Sequence, residues 1–267
     1  MELVNTFELS GRRAIVTGGA GHLGRAISRG LAAAGAAVHL VGRNVEKLKA
    51  VATELGNEGY EISFEAVNLS DAAAIEQFAD RFIASNGALD ILVNNAYSGV
   101  TNSLENSTAD QFRDSYNIGM VAAAELIRTL LPALRAAVSL RKDASVINIA
   151  SMYGHVSPDP RIYGDSGQNS PPFYGALKGA LIQYTRYAAC HLAKDGIRVN
   201  AISPGPFPPA SFRETKPEFY KQLVSKVPLS RLGAAEDLVG PVVFLASPSA
   251  RFVTGVNLPV DGGWTAW

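Results

Sequence analysis

Cysteine is almost missing from this chain of 267 residues, net charge is zero, and no long hydrophobic run occurs. Each scarcity excludes something. Cys190 is the single cysteine, so no intrachain disulfide is possible, and inside the apolar run Ala188–Leu192 it reads as a small core residue. Twenty-four Lys and Arg balance 24 Asp and Glu, which leaves no basic excess for nucleic acid or an anionic membrane. No apolar stretch approaches the ~20 residues that cross a bilayer. The Ala- and Gly-rich segment 31–41 is too short and contains His39. The N-terminal residues include Glu2 and Glu8 and lack a basic region followed by an apolar one, so a signal peptide is not expected. No linker, repeat or low-complexity run divides the chain, and no metal site is expected. A soluble, cytoplasmic protein forming one domain over residues 1–267 is the resulting expectation.

What is present is a 47% apolar composition with strands and helices in regular alternation. Strands read at Arg13–Thr17, Ala37–Val41, Ile62–Ala66, Asp90–Asn94, Ser145–Ile149, Arg198–Ile202 and Gly255–Val260. The helices between them run from Leu23 to Ala34, Glu46 to Leu55 (closed by Gly56), and Asp71 to about Ser85, capped by Ser70. A Thr108/Gln111 capping box opens the next, to about Leu134, with a bend at Pro132. Further helices read at Pro172–Asp195, 217–226 and 235–246. Such alternation predicts an α/β fold: a doubly wound parallel sheet of about seven strands, covered by helices on both faces, with ligands at the carboxyl ends of the strands.

Between the first strand and first helix lies Gly18-Gly19-Ala20-Gly21-His22-Leu23-Gly24, which holds G-x-G-x-x-G as Gly19, Gly21 and Gly24. In that context glycines let the backbone approach a pyrophosphate, and the helix N-terminus supplies N–H donors. The second strand ends in Gly42-Arg43 rather than in an acidic residue. An acid there would serve the ribose hydroxyls of NAD, whereas the Arg43 fork suits a 2′-phosphate. NADP(H) is therefore favoured, with NAD(H) possible and Arg43 as a plain loop residue the alternative.

Tyr174 and Lys178 stand four apart in the Pro172–Asp195 helix, so they share a face. A neighbouring cation favours phenolate and moves a phenol's pKa toward neutral, where it can exchange protons. By itself the pair has a bland reading, a solvated Lys beside a half-buried Tyr.

These residues, with Asn94-Asn95-Ala96, Asn117, Ser151, Pro204-Gly205 and Val260-Asp261-Gly262-Gly263 in order, closely resemble the short-chain dehydrogenase/reductase family from Gly11 to Gly263. The resemblance implies a Rossmann fold and four catalytic roles. Tyr174 would be the acid/base. Lys178 would hold it near phenolate and bind the nicotinamide ribose. Ser151 would hydrogen-bond the substrate oxygen, and Asn117 would hold a water linking Lys178 to solvent. It also implies that the cofactor is met by Gly18, Gly19, Gly21, His22, Leu23, Gly24, Arg43, Asn68, Leu69, Asn95, Ala96, Tyr97, Tyr174, Lys178, Pro204, Gly205 and Phe207. Four positions depart from the family. His22 stands where glycine is usual, Asn68 replaces an adenine-binding aspartate, Tyr97 replaces the glycine after Asn94-Asn95-Ala96, and Pro209 falls where a threonine often contacts the carboxamide.

The segment between Ser151 and Tyr174 is longer than the family's dozen or so residues and rich in His155, Asp159, Arg161, Tyr163, Asp165, Gln168 and Asn169. Overhanging the site, it suggests a polar substrate such as a sugar acid or polyol, as in gluconate-type relatives, bound by Ser151, Tyr153, His155, Arg161 and Phe207. Its other reading is a surface or subunit-contact loop. The alternative substrates are a 3-oxoacyl thioester, a steroid-like ketone or another apolar ketone, favoured by a roomy apolar cleft. A dinucleotide-binding regulator without turnover is a third reading. The family's habit of forming dimers or tetramers implies a homo-oligomer, here a homotetramer, with 181–187 and Trp264–Trp267 as candidate contacts.

Overall fold

The central strands of the sheet are short and buried on both sides, which suits a parallel sheet covered on both faces. The computed structural model describes residues 6–166 and 169–267. Its strands are β1 Arg13–Thr17, β2 Ala37–Gly42, β3 Ile62–Ala66, β4 Ile91–Asn94, β5 Ala144–Ile149, β6 Ile197–Pro204 and β7 Asn257–Val260. They form one sheet in the order β3-β2-β1-β4-β5-β6-β7, every pairing parallel. This is the expected single-domain Rossmann fold. Between β1 and β4 the order reverses, and this opens a crevice at the carboxyl ends.

Side chains alternate across the sheet. Ala14, Val16, Ile91, Val93 and Ile147 pack beneath α1 (His22–Ala33), α2 (Val45–Asn57) and α9 (Val239–Ala246). Ile15, Leu92, Val146 and Val199 face the other way, onto α3 (Ala72–Asn86), α5 (Ala122–Arg141) and α6 (Pro172–Leu192). At the amino ends of the strands Asp143, buried, takes Arg198 Nε at 2.8 Å and Arg12 Nη1 at 3.2 Å.

Local signals misplaced several boundaries. Gly56 lies inside α2, which ends at Asn57, and Gly59 takes the positive φ instead. Asp71 rather than Ser70 caps α3, accepting from the Ala73 N–H at 2.9 Å; a carboxylate one residue nearer the helix displaces the hydroxyl. The Thr108/Gln111 capping box opens α4 (Ala109–Tyr116), a π-helical turn follows at Asn117–Val121, and α5 continues past Pro132 to Arg141. Cys190 is exposed, not in the core. Leu181, Thr185, Ala188, Ala189 and Leu192 form the buried face of α6, and Cys190 falls on the opposite one with Arg186 and Tyr187. The proline-rich 204–217 segment contains a short helix, α7 (Phe212–Thr215), before α8 (Pro217–Lys226).

Candidate active site

The glycine turn is folded tightly against the sheet. Gly18 sits at φ +63°, and a methyl group on Gly24 would overlap the Gly18 carbonyl. Gly21 stands at the head of α1 and no side chain caps that helix, so its first N–H groups are free of protein side-chain acceptors. Thr17 pins the turn to β4. Its hydroxyl donates to Val93 O at 3.3 Å and accepts from the N–H groups of Asn95 at 2.9 Å and Ala96 at 3.0 Å. Asn95 Nδ2 returns a bond to Thr17 O at 3.0 Å, so its amide braces the turn itself.

A cleft of about 530 Å³ runs along these ends. At one end lie the turn, Arg43 and Lys47; at the other lie Ser151, Tyr174 and Lys178, with Pro204, Gly205 and Phe207 as the facing wall. Gly205 N donates to Val260 O at 3.0 Å, and a side chain at Gly205 would collide with Asp261, which explains why these two motifs go together. Uncapped amides, a guanidinium and an ammonium at one end, and an acid/base pair at the other, fit a dinucleotide. Asn68 and Leu69 lie apart from this lining. Asn68 Oδ1 accepts from the Ser70 N–H at 3.2 Å, and Leu69 is buried. Pro209 borders a different hollow, beside Arg25 and Arg29.

Lys178 is buried, and its Nζ donates to Ile149 O at 2.6 Å. The ammonium lies 5.5 Å from the Tyr97 ring centroid and 5.7 Å from that of Tyr174, within cation–π reach of both. Burial pulls its pKa down to about 8. The Tyr174 pKa is raised, because burial outweighs a hydrogen bond with Ser151 that lowers it. This corrects the expectation that Lys178 brings the phenol toward neutrality: the ammonium is committed to Ile149 O and meets the ring by its face. Near neutral pH the phenol therefore keeps its proton. Ser151 is buried, and its Oγ accepts from the Tyr153 N–H at 3.2 Å. Asn117 Nδ2 donates to Ser70 O at 2.9 Å, which anchors the π turn. A small void of about 10 Å³ lies between that turn, at Ile118 and Gly119, and Lys178.

On the other side of Tyr174 opens a cavity of about 730 Å³. Tyr97, Tyr153, Tyr163, Phe212 and Phe219 build most of its wall, and Thr101, Asn169, Ser170, Lys216 and Glu218 add polar edges. The aromatic rings support one another: Tyr163 and Phe219 lie 5.1 Å apart, and Phe212 meets Phe219 edge-on at 5.6 Å. Burial pushes the Tyr153 and Tyr163 hydroxyls upward in pKa, so both stay neutral. His155 and Arg161, expected at the substrate, are exposed and outside this lining. Arg161 Nη2 pairs with Asp159 at 2.8 Å, and Lys226 joins the same carboxylate at 2.7 Å. Gln168 lies outside the described residues.

Several members of the site were not read from the sequence. Lys47 stands one turn beyond Arg43, a spacing that gives a signal in hindsight; Arg43 Nη2 also donates to Ser98 Oγ at 3.2 Å. Thr17 and Phe219 carry no local signature. A buried chain runs from Asn94 Nδ2 to Asn148 Oδ1 (2.9 Å), from Asn148 Nδ2 to Thr185 Oγ1 (2.9 Å), and on to Leu181 O (2.8 Å). It joins β4 and β5 to α6. Among the described residues no cluster suits a metal ion, and no helix is long and apolar enough to cross a membrane.

The family model described as Enoyl-(Acyl carrier protein) reductase matches residues 18–265. A rhamnolipids-biosynthesis 3-oxoacyl-[acyl-carrier-protein] reductase of Pseudomonas aeruginosa is 32% identical over 260 residues, covering 97% of this chain and 98% of that one. The NADP active-site complex of Pseudomonas aeruginosa RhlG superposes with a TM-score of 0.89 at 31% identity, covering 99% of each chain. A gluconate 5-dehydrogenase from Burkholderia cenocepacia, solved with NADP and tartrate, gives a TM-score of 0.88 at 29% identity over 100% of each.

Proposed function

The chain belongs to the short-chain dehydrogenase/reductase family and is an NAD(P)-dependent oxidoreductase; on that premise we propose that it interconverts a ketone with one large apolar group and the matching secondary alcohol, using NADP(H). The observation that carries the reading is the place of Tyr174, where the dinucleotide cleft meets a cavity walled by aromatic rings.

Bound NADP(H) supplies hydride exchange at its nicotinamide. Everything else falls to this chain. The α1 amides and the glycine turn hold the pyrophosphate, and Arg43 with Lys47 meets a 2′-phosphate; the absence of an acid after β2 and the NADP in two similar structures support this choice. Ser151 donates to the carbonyl oxygen and steadies charge as it forms there. Tyr174, which keeps its proton near neutral pH, gives that proton to the same oxygen during reduction and takes it back during oxidation. Lys178 places a positive charge behind Tyr174. Asn117 closes the π turn beside a void at the lower limit for one water, which suits a relay from Lys178 to solvent.

A second reading keeps the chemistry and takes a sugar acid as substrate. The gluconate 5-dehydrogenase among the similar structures favours it, and Thr101, Asn169, Ser170 and Lys216 would be its polar contacts. The aromatic wall weighs for the first. For assembly we propose a homotetramer. Leu181, Ile182 and Trp264 are buried within the subunit, whereas Trp267 and Tyr187 of the expected segments are exposed and, with Phe112, Tyr116 and Val121, are suited to contacts. A cytoplasmic setting, where an exposed thiol such as Cys190 stays reduced, completes the proposal.

The test is a panel of aryl ketones, 3-oxoacyl thioesters and sugar acids with NADPH and NADH, on the wild type and Tyr174→Phe. Reduction of apolar ketones with NADPH, cut ~10²–10⁴-fold by the substitution while NADPH binding is kept, is expected. Turnover of sugar acids alone, or near-normal turnover by Tyr174→Phe, would overturn it.

A further inference from the structure

Among the described residues, two side chains line both the dinucleotide cleft and the aromatic cavity: Tyr174 and Tyr97. The first is the acid/base, so a reacting carbonyl must come to it. The second stands beside it, ring centroids 5.0 Å apart and planes tilted by 57°. Tyr97 is also fixed on its other sides. Its hydroxyl shares a hydrogen bond of 3.1 Å with Ser115 Oγ, a buried residue of α4. Its ring faces the Lys178 ammonium at 5.5 Å. The loop folds over it so closely that a methyl group on Gly99 would overlap the Tyr97 hydroxyl. A ring tied at its tip, packed on one face and roofed by backbone does not swing aside for a ligand.

A carbonyl reaching Tyr174 therefore has the cavity of about 730 Å³ open to it, with this fixed ring standing at the border between that cavity and the dinucleotide cleft. We propose that Tyr97 is a specificity-determining partition. It admits ketones with a single bulky substituent, directed into the aromatic cavity, and rejects those bulky on both sides of the carbonyl. This rests on the ketone-reductase reading above and extends it.

Acetophenone and benzophenone, which differ by a methyl against a second phenyl, are the probes. Wild type should favour acetophenone in kcat/KM. Tyr97→Gly, assayed at saturating NADPH because the ring also borders the dinucleotide cleft, should reduce that preference at least about tenfold by raising benzophenone turnover; one methylene in an apolar pocket commonly discriminates by about 10- to 200-fold. Tyr97→Phe keeps the ring and should keep the wild-type ratio. A ratio within about twofold of wild type in Tyr97→Gly that still binds NADPH would overturn the proposal; so would a Tyr97→Phe that behaves like Tyr97→Gly. If Tyr97→Gly fails to fold, Tyr97→Leu replaces it with the same expectations. If wild type reduces neither ketone, the ketone-reductase reading falls, and the partition is read by binding instead. Calorimetry of 1-phenylethanol and diphenylmethanol on NADP-saturated Tyr174→Phe protein, with and without Tyr97→Gly, should then show diphenylmethanol gaining affinity only when the ring is gone. Equal gains for both alcohols, or none, would refute it.

Discussion

Replacing Lys178 by Met should make the cofactor-free protein more stable while destroying its activity. Lys178 is 4% exposed and its pKa falls from 10.5 to about 8 because burial disfavours the charge. Below pH 8 the folded chain holds this lysine protonated at a cost; the unfolded chain binds the proton freely. Between pH 8 and 10.5 the unfolded state carries more protons, so raising the pH through this window relieves the cost and stability rises. At about 1.4 kcal/mol per pH unit the penalty is about 3 kcal/mol at pH 7, about 2 at pH 9 and under about 1 at pH 10. Met fills similar volume between the same two rings and carries no charge. Losing the bond to Ile149 O returns roughly 1–2 kcal/mol, which leaves a net gain of about 1–2 kcal/mol at pH 7. Urea unfolding of both proteins at pH 7, 9 and 10 reads this directly. The advantage of Lys178→Met should shrink as pH rises. A variant less stable than wild type at pH 7, or a difference that stays flat with pH, would refute the reasoning.

Other perturbations test other parts. Arg43→Glu puts a carboxylate where the 2′-phosphate should lie, and fluorescence titration should show NADPH affinity falling more than about tenfold with NADH changed far less; equal losses would remove Arg43 from phosphate recognition. Asp143→Ala strips two buried guanidiniums, Arg12 and Arg198, of their shared carboxylate. It should cost about 3–5 kcal/mol in urea unfolding, and a loss under about 1 kcal/mol would show that solvent reaches them.

Much of the frame was legible because it is written locally. Two-sided apolar strands, a glycine turn between strand and helix, and a Tyr/Lys pair one turn apart each declare themselves within a few residues. The family resemblance extended this to Asn117 and Ser151. The substrate cavity was not legible for the opposite reason. The polar groups between Ser151 and Tyr174 suggested a polar pocket, yet Asp159 draws in Arg161 and Lys226. The wall comes instead from Phe212 and Phe219, some forty residues beyond Tyr174 in sequence. The Tyr174 pKa failed similarly: helical spacing gave the neighbour, but not that Lys178 would spend its hydrogen bond on Ile149 O.

The buried chain through Asn94, Asn148 and Thr185 has a consequence for how such a molecule changes over time. Thr185 lies three turns downstream of Tyr174 on the same helix, and the strands grip α6 there, behind the acid/base rather than in front of it. The helix is thus indexed from its rear. Residues can be added or removed between Gly154 and Pro172 without sliding Tyr174 along its axis, whereas the turn Met152–Gly154 packs directly on α6, with Tyr153 O against Gly175, and is held to its length.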